Sequence, residues 1–204
     1  MNGAKIRLSE EEQELISNPG WILTKNRILE RITLFLSQLQ TEQEKSLLSS
    51  GIRLPEEVMA HTPKISKGEN YLGLPYRMLD YPRSFSSRDH FAIRCFFWWG
   101  HYFSTTLHLS GKWPVICLPG LQKTMPALLE KGALIAGGDD PWVHNLEDGS
   151  WFSLASAEGQ SVLGISGKRD FLKVAIRYKP ENRDILSSRL LDDFLLLAKA
   201  AEGD

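Results

Sequence analysis

Residues 91–109 constrain the fold more than any other part of the chain. They read FAIRCFFWWGHYFSTTLHL, in which two runs rich in aromatic and β-branched residues, 91–99 and 102–109, flank Gly100 and His101. Such residues suit a pleated strand, and glycine at the first central position of a two-residue loop is typical of a type II′ turn. The segment therefore predicts an antiparallel β-hairpin.

A two-residue turn also predicts which side chains share a face of this hairpin. It sets Cys95 opposite Thr106 and Ile93 opposite His108, so these four side chains lie on one face. Arg94 then points to the other face. Because neither face is uniformly polar, we expect the hairpin to be central in its sheet and covered on both sides.

The N-terminal region shows helical patterns. S/T-x-x-E capping boxes at 9–12 and 41–44 predict two helix starts, and Asn-Pro-Gly at 18–20 predicts the end of the first helix. Apolar residues at three- and four-residue spacing predict a further helix over roughly 24–39. Residues 1–52 are therefore expected to form a helical layer.

The second half alternates between types of pattern. It predicts a helix over 119–136, a hairpin centred on Asp148-Gly149 that joins 142–146 to 151–155, and a strand over 171–178. A C-terminal helix is expected over 181–201, with Ile185 on its buried side.

This order of elements lacks the regular βαβ alternation of a parallel sheet. The predicted fold class is α+β, with a central antiparallel sheet and N- and C-terminal helices packed against it. We expect one domain over 1–204: the helical layer 1–52, a mainly antiparallel sheet with one inserted helix over 70–178, and the C-terminal helix 181–201.

Charge and hydropathy exclude several classes of function. The chain has 24 Lys and Arg against 25 Asp and Glu and a pI of about 6.5, whereas nucleic-acid-binding domains are typically basic. No apolar run approaches the roughly 20 residues that span a bilayer, and the start of the chain lacks the apolar stretch of a signal peptide. These features predict a cytoplasmic protein with neither nucleic acid nor membrane as a partner.

The common site motifs are missing from the sequence. The five histidines include no H-x-H and no H-x-x-x-H pair, so no metal site is predicted. The segment 164–168 (GISGK) departs from both the nucleophile elbow and the P-loop. Gly-Gly-Asp-Asp at 137–140 lacks the ligand spacing of a calcium loop. No cofactor is predicted.

Arg94 is an unusual residue because it lies in the middle of an apolar strand, where an unpaired charge is costly. Glu69 and Asp80 are the candidate partners for a structural ion pair. Alternatively, the guanidinium could bind a carboxylate or phosphate through its bidentate fork.

Residues 67–83, KGENYLGLPYRMLDYPR, place polar and aromatic side chains next to prolines that stiffen the backbone. We therefore expect a site for a small polar or anionic ligand between 68–83 and 91–109. The predicted ligand-binding residues are Arg94, Arg83, Asn70, Asp80 and Tyr76, and the candidates for proton transfer are His108 and Glu69.

The stretches KGENYLGLPYRMLDYPR and FAIRCFFWWGHYFSTTLHLSG resemble those of a family of uncharacterised bacterial proteins of unknown function. The resemblance implies a small single-domain protein and carries no activity, cofactor or catalytic residue. An alternative to ligand binding is a structural or protein-interaction module, in which the tryptophan-rich hairpin packs the core or the interface of a homodimer.

Overall fold

The computed structural model describes residues 6–180 and 183–202, which form a seven-stranded sheet flanked by helices. The helices are α1 (Glu10–Ser17), α2 (Pro19–Ser50), α3 (Glu56–Met59), α4 (Trp113–Glu130), α5 (Ala157–Gly164) and α6 (Arg183–Ala200), with a short 3₁₀ turn at Ser166–Lys168. The strands are β1 (Lys64–Tyr71), β2 (Leu74–Phe85), β3 (His90–Trp98), β4 (Tyr102–Ser110), β5 (Leu134–Ala136), β6 (Trp151–Ser153) and β7 (Phe171–Tyr178).

The strand order is β1-β2-β3-β4-β7-β5-β6, and every neighbouring pair is antiparallel. Helices α2 and α6 pack against the sheet. The predicted α+β class, with an antiparallel sheet covered by the N- and C-terminal helices, is therefore confirmed.

The main hydrophobic core lies between the helices and one face of the sheet. Alternate residues of the central strands, such as Ile93, Leu107 and Val174, pack there with Leu36 of α2 and Phe194 of α6, and all five are essentially inaccessible to solvent. Burial of each such side chain is worth about 1.5–3 kcal/mol, so this face supplies most of the apolar stabilisation.

The opposite face of the sheet is covered differently. A smaller apolar cluster, with Phe96, Trp98 and Trp151 among its members, packs beneath the loop 137–150 through Leu146. We refer to this side of the sheet as the loop-covered face and to the other as the helix-covered face.

The N-terminal helices differ from the prediction at one point. Helix α2 runs without a break through the expected second start at 41–44. The Thr41 hydroxyl donates to the carbonyl of Ser37, 3.2 Å away, instead of capping a new helix. The buried stripe Leu39, Gln43 and Leu47 continues across this point, and packing against the core therefore keeps the helix intact.

The helix predicted at 119–136 is shifted. Helix α4 begins at Trp113, with a proline in its first turn, and Gly132, at φ 65°, follows its end. Proline at the first turn of a helix needs no amide donor, which explains the earlier start. Leu134–Ala136 then forms β5, so the predicted extension of the helix to residue 136 is wrong.

The hairpin predicted around Asp148-Gly149 is also wrong. Strand β6 pairs with β5, and the segment 142–146 is not a strand. The turn itself forms, with Gly149 at φ 84° and the Asp148 carboxylate accepting from the backbone N–H of Ser150 at 2.9 Å. A sequence that is typical of a turn therefore does not specify whether the segments on either side of it pair with each other.

Three smaller differences concern boundaries and burial. Strand β1 begins at Lys64, before the expected start at 70, and α5 is a second helix inserted among the strands. Residues 181 and 182, where the C-terminal helix was expected to start, lie outside the described residues. Ile185, expected to be buried, is 43% exposed.

The register of the β3–β4 hairpin is the most consequential correction. Trp98 pairs with Tyr102, so the loop has three residues, not two. Its backbone turn is closed by a hydrogen bond from His101 N–H to the Trp98 carbonyl at 3.1 Å, and Gly100 has φ 78°. One extra loop residue shifts the pairing by one position and moves a whole strand's side chains to the other face.

Candidate functional site

The observed register places His108 on the same face as Arg94, and Cys95 on the opposite face. Arg94 lies opposite Thr106, and His108 lies opposite Lys173 of β7. The predicted grouping of His108 with Cys95 is therefore wrong, because it assumed the shorter turn.

Two rows of polar side chains consequently cross the loop-covered face. Asp80, Arg94 and Thr106 stand side by side on β2, β3 and β4, and His108 and Lys173 stand side by side on β4 and β7. All five residues are buried. The residues Asp80, Arg94, His108 and Lys173, together with His144 of the covering loop, are called the polar cluster below.

Asp80 is the acid that pairs with Arg94. The guanidinium donates through Nε to Oδ1 at 2.6 Å and through Nη2 to Oδ2 at 3.0 Å, a bidentate geometry. Nη1 donates to Nε2 of His144 at 3.2 Å. One of the two partners proposed from sequence is thus confirmed, and the third nitrogen of the arginine reaches the covering loop.

Lys173 attaches the covering loop to the sheet. Its Nζ donates to the carbonyls of Pro141 at 2.9 Å and Val143 at 2.6 Å, and it lies 5.1 Å from the ring centroid of Trp151. Burial, followed by the nearby charge of Arg94, lowers the pKa of Lys173 to about 7. An amine with this pKa is partly neutral at physiological pH.

Two tyrosines bind the backbone of the same loop. The Tyr71 hydroxyl accepts from the N–H groups of His144 and Asn145 at 2.7 and 2.8 Å. The Tyr102 hydroxyl donates to the His144 carbonyl at 2.9 Å and accepts from Leu146 N–H at 2.7 Å. Side chains of the sheet therefore satisfy backbone groups that a strand would satisfy through a ladder.

His108 is the least explained member of the polar cluster. It is 0% exposed, and neither ring nitrogen has a hydrogen-bond partner among the described residues. The ring of Trp142 meets it edge-on, with 5.2 Å between the centroids. Burial, followed by the charges of Lys173 and Arg94, lowers the pKa of His108 to about 2. The imidazole is therefore neutral and offers one donor and one acceptor, both unused.

A second unused polar group lies beside Lys173. The indole Nε1 of Trp151 is buried without a partner among the described residues, and its ring lies against the Lys173 ammonium. Burial and the charge of Arg94 also lower the pKa of His144, so this imidazole is neutral as well. Asp80 is the buried carboxylate of the cluster, whereas Arg94 and protonated Lys173 both carry positive charge.

Three of the residues predicted from sequence, Arg94, Asp80 and His108, thus come together. Two others do not join them. The Arg83 Nε donates to the Thr62 carbonyl at 2.8 Å, and the Asn70 side chain accepts from Gly73 N–H at 3.0 Å within the β1–β2 turn.

Glu69 and Tyr76 also lie outside the polar cluster. The Glu69 carboxylate is exposed and pairs with Lys25 at 2.7 Å and with Arg77 at 3.4 Å. The Lys25 ammonium is the main cause of the lowered pKa of Glu69. The ring of Tyr76 packs 5.7 Å from that of Phe96, in the apolar part of the loop-covered face.

Lys173, His144, Tyr71 and Tyr102 were not identified from the sequence. Lys173 carries the same signal as Arg94, a charge within an apolar strand, in FLKVAIRY. The other three show no such signal, because their roles depend on the loop 137–150, of which the part 142–146 was predicted to be a strand.

A separate concavity lies on the helix-covered side, between α2 and the end of the β3–β4 hairpin. It has a volume of about 470 Å³ and is lined mainly by apolar side chains, together with the exposed Arg31. A neighbouring concavity of about 650 Å³ shares Ile28 and Trp99 with it. These two adjoining concavities are called the groove along α2 below.

Within 6–180 and 183–202, no three His, Cys, Asp or Glu residues are grouped so that they could hold a metal ion. Cys95 and Cys117 are free and buried. In the described part of the chain, no helix combines the length and the apolar character needed to cross a membrane. Comparison with protein-family models, curated proteins and solved structures finds no match.

Proposed function

We propose that this protein binds a small anionic ligand in the polar cluster, between the loop-covered face of the sheet and the loop 137–150. The observation that carries the proposal is His108, whose two ring nitrogens are buried and unused. Leaving a buried polar group without a hydrogen bond costs about 1–3 kcal/mol. A ligand that accepts a hydrogen bond from this imidazole would recover that cost.

The choice of an anion follows from the donors and charges around His108. The Trp151 indole offers a second unused N–H, and Lys173 offers an ammonium at the same place. Arg94 adds a positive charge that Asp80 neutralises, so protonated Lys173 leaves a net positive interior. A carboxylate or another small oxyanion complements this arrangement.

Entry of a ligand requires movement of the loop 137–150, because the polar cluster is buried beneath it. The hydrogen bonds described above that hold this loop come from Lys173, Tyr71, Tyr102 and Arg94. Side-chain bonds of this kind can open individually without the loss of a strand ladder.

Ligand-observed NMR with a set of small carboxylates and inorganic phosphate tests the proposal. Binding should be detected with the wild-type protein and lost in His108→Leu. The exposed His61 offers a matched control, since His61→Leu changes the same residue type outside the cluster. Failure of every anion to bind, or equal binding by His108→Leu, would contradict the proposal.

The charge on Lys173 gives a second readout. An anion beside the amine should raise its pKa above about 7, so binding at neutral pH should take up protons. Isothermal titration calorimetry in two buffers of different ionisation enthalpy measures this uptake. It should disappear in Lys173→Met, whereas uptake that persists there must come from another group.

The structural alternative is also supported by a specific observation, since Lys173, Tyr71 and Tyr102 all bind the backbone of the loop. If the cluster only clamps this loop, His108→Leu should equal or exceed the wild type in stability, and no anion should stabilise either protein. The cytoplasmic location and the homodimer stay predictions from the sequence.

A further inference from the structure

The groove along α2 has the shape of a site for a chain molecule. Its two parts meet at Ile28 and Trp99 and extend along the helix from Trp21 to Phe35. At a rise of 1.5 Å per residue, these fourteen steps correspond to about 21 Å. A groove of this length with a mainly apolar lining fits an extended alkyl chain better than a compact polar ligand.

The walls of the groove come from elements that pack in the main core. Ile32 and Phe35 of α2 form one side, and Phe97, Trp99 and Phe103 of the hairpin form the other. These side chains are anchored in the core, so the groove exists without a ligand. The volume of about 470 Å³ in this part lies within the range of small-molecule sites.

The charged residues of the groove indicate which head group the bound alkyl chain carries. Arg31 lines the groove, is exposed to solvent, and has no hydrogen bond or ion pair among the described residues. Glu69 is the acidic residue of the lining, and Lys25 and Arg77 already pair with it. Among the described residues of the lining, the unmatched charge is therefore positive, which complements an anionic head group.

We propose that the groove binds a single-chain amphiphile with an anionic head group, such as a long-chain carboxylate. The alkyl chain lies between Ile28 and Trp99, and the carboxylate pairs with Arg31. This site is independent of the polar cluster, because it lies on the opposite side of the sheet.

Calorimetric titration with octanoate, dodecanoate and hexadecanoate, each below its micelle concentration, tests the apolar part. Affinity should increase by up to roughly fourfold for each further buried methylene. Ile28→Glu should weaken binding by about tenfold or more, because it places a carboxylate in the groove. Leu34→Glu is the matched control: Leu34 lies on the same helix, is 64% exposed and does not line the groove, so this change should leave affinity unaltered.

The head group is tested separately with Arg31→Gln. This variant should bind dodecanoate about tenfold more weakly than the wild type and should bind dodecanol equally well. Circular dichroism and thermal unfolding confirm that each variant is folded. His108→Leu should leave dodecanoate binding unchanged, which separates this proposal from the anion site.

Three results would overturn the proposal. The first is the absence of binding by any of the three acids. The second is equal binding by Ile28→Glu and Leu34→Glu, which indicates non-specific adsorption. The third is self-association of the wild type that Ile28→Glu abolishes, without amphiphile binding, which would make the groove an interface between copies of this chain.

Discussion

The two faces of the sheet are built from the same strands but are covered in different ways. On the helix-covered face, β3 and β4 present Ile93, Phe97 and Leu107 to a conventional apolar core. On the loop-covered face, the same strands present Arg94 and His108. The kind of cover explains most of this difference.

A helix satisfies most of its own backbone hydrogen bonds, so it needs only apolar partners from the sheet. A loop has unpaired N–H and C=O groups, and buried ones must find partners. Tyr71, Tyr102 and Lys173 serve this purpose for the loop 137–150. His108 and Trp151 do not serve this purpose, and their buried ring nitrogens have no hydrogen-bond partner among the described residues. These two residues are therefore the ones that indicate a ligand.

The largest effect is expected from Asp80→Ala, which removes the partner of a buried charge on the loop-covered face. Breaking such a pair by deleting one member costs about 3–5 kcal/mol, because Arg94 is left buried without its carboxylate. Chemical denaturation monitored by fluorescence measures this loss.

The double variant Asp80→Leu with Arg94→Met distinguishes a purely structural role of this ion pair from a role in anion binding. Replacing both charges by apolar groups is often neutral or stabilising in proteins. Recovery of stability in the double variant, together with loss of anion binding, would assign the pair to function. A loss under about 1 kcal/mol in Asp80→Ala alone would show that the pair is hydrated and not buried.

The second-largest loss of stability should come from Tyr71→Phe, which tests whether side-chain hydroxyls hold the loop 137–150 in place. The change leaves the N–H groups of His144 and Asn145 without their acceptor. We expect a loss of about 1–3 kcal/mol in the free energy of unfolding. Tyr76→Phe is the control, since no hydrogen bond to its hydroxyl is found among the described residues, and it should cost almost nothing.

A smaller effect on the free energy of unfolding is expected when the pH is lowered. Burial lowers the pKa of His108 to about 2, against 6.5 when the residue is free. Its contribution to stability is therefore complete above pH 6.5 and is lost as pH falls towards 2. Between pH 6 and 5 the slope should approach about 1.4 kcal/mol per pH unit for this residue.

His108→Leu isolates this contribution from that of His144, whose pKa burial also lowers. The unfolding free energy of the wild type should fall relative to that of the variant as pH decreases, because only the wild type has the imidazole that must gain a proton on unfolding. If the free energies of unfolding of the two proteins change with pH in parallel, solvent must reach the imidazole of His108.

The smallest effect is expected from Glu69→Ala. This carboxylate pairs with Lys25 and Arg77, but its side chain is 57% exposed. Exposed pairs contribute about 0–1 kcal/mol, so stability should change little and anion binding should not change. A loss comparable with that of Asp80→Ala would remove the contrast between the exposed and the buried pair.

The fold class could be predicted because long periodic patterns survive tertiary packing. The part of helix α2 over 24–39 and strand β7 follow from the spacing of apolar residues, and the β3–β4 hairpin follows from its aromatic and β-branched composition. The partner of Arg94 could be narrowed to two acids, because a buried charge requires a partner and the segment 67–83 offers Glu69 and Asp80. The structure selects Asp80.

The site could be predicted only in part, for two physical reasons. The face of His108 depends on whether the turn at Gly100 has two or three residues, and glycine suits either. The segment 142–146 has the composition of a strand but is held by side chains from distant strands. Both features are set by tertiary contacts that a local pattern does not record.

The hydroxyl of Tyr71 has a consequence for how the molecule can be observed. The amide protons of His144 and Asn145 are bound by this single oxygen, although neither residue belongs to a helix or strand. Their exchange with deuterated solvent should therefore be slow for an irregular segment, and it should report each opening of the cover directly. The exchange rates of these two amides therefore measure how often the loop 137–150 opens and exposes the sheet beneath it.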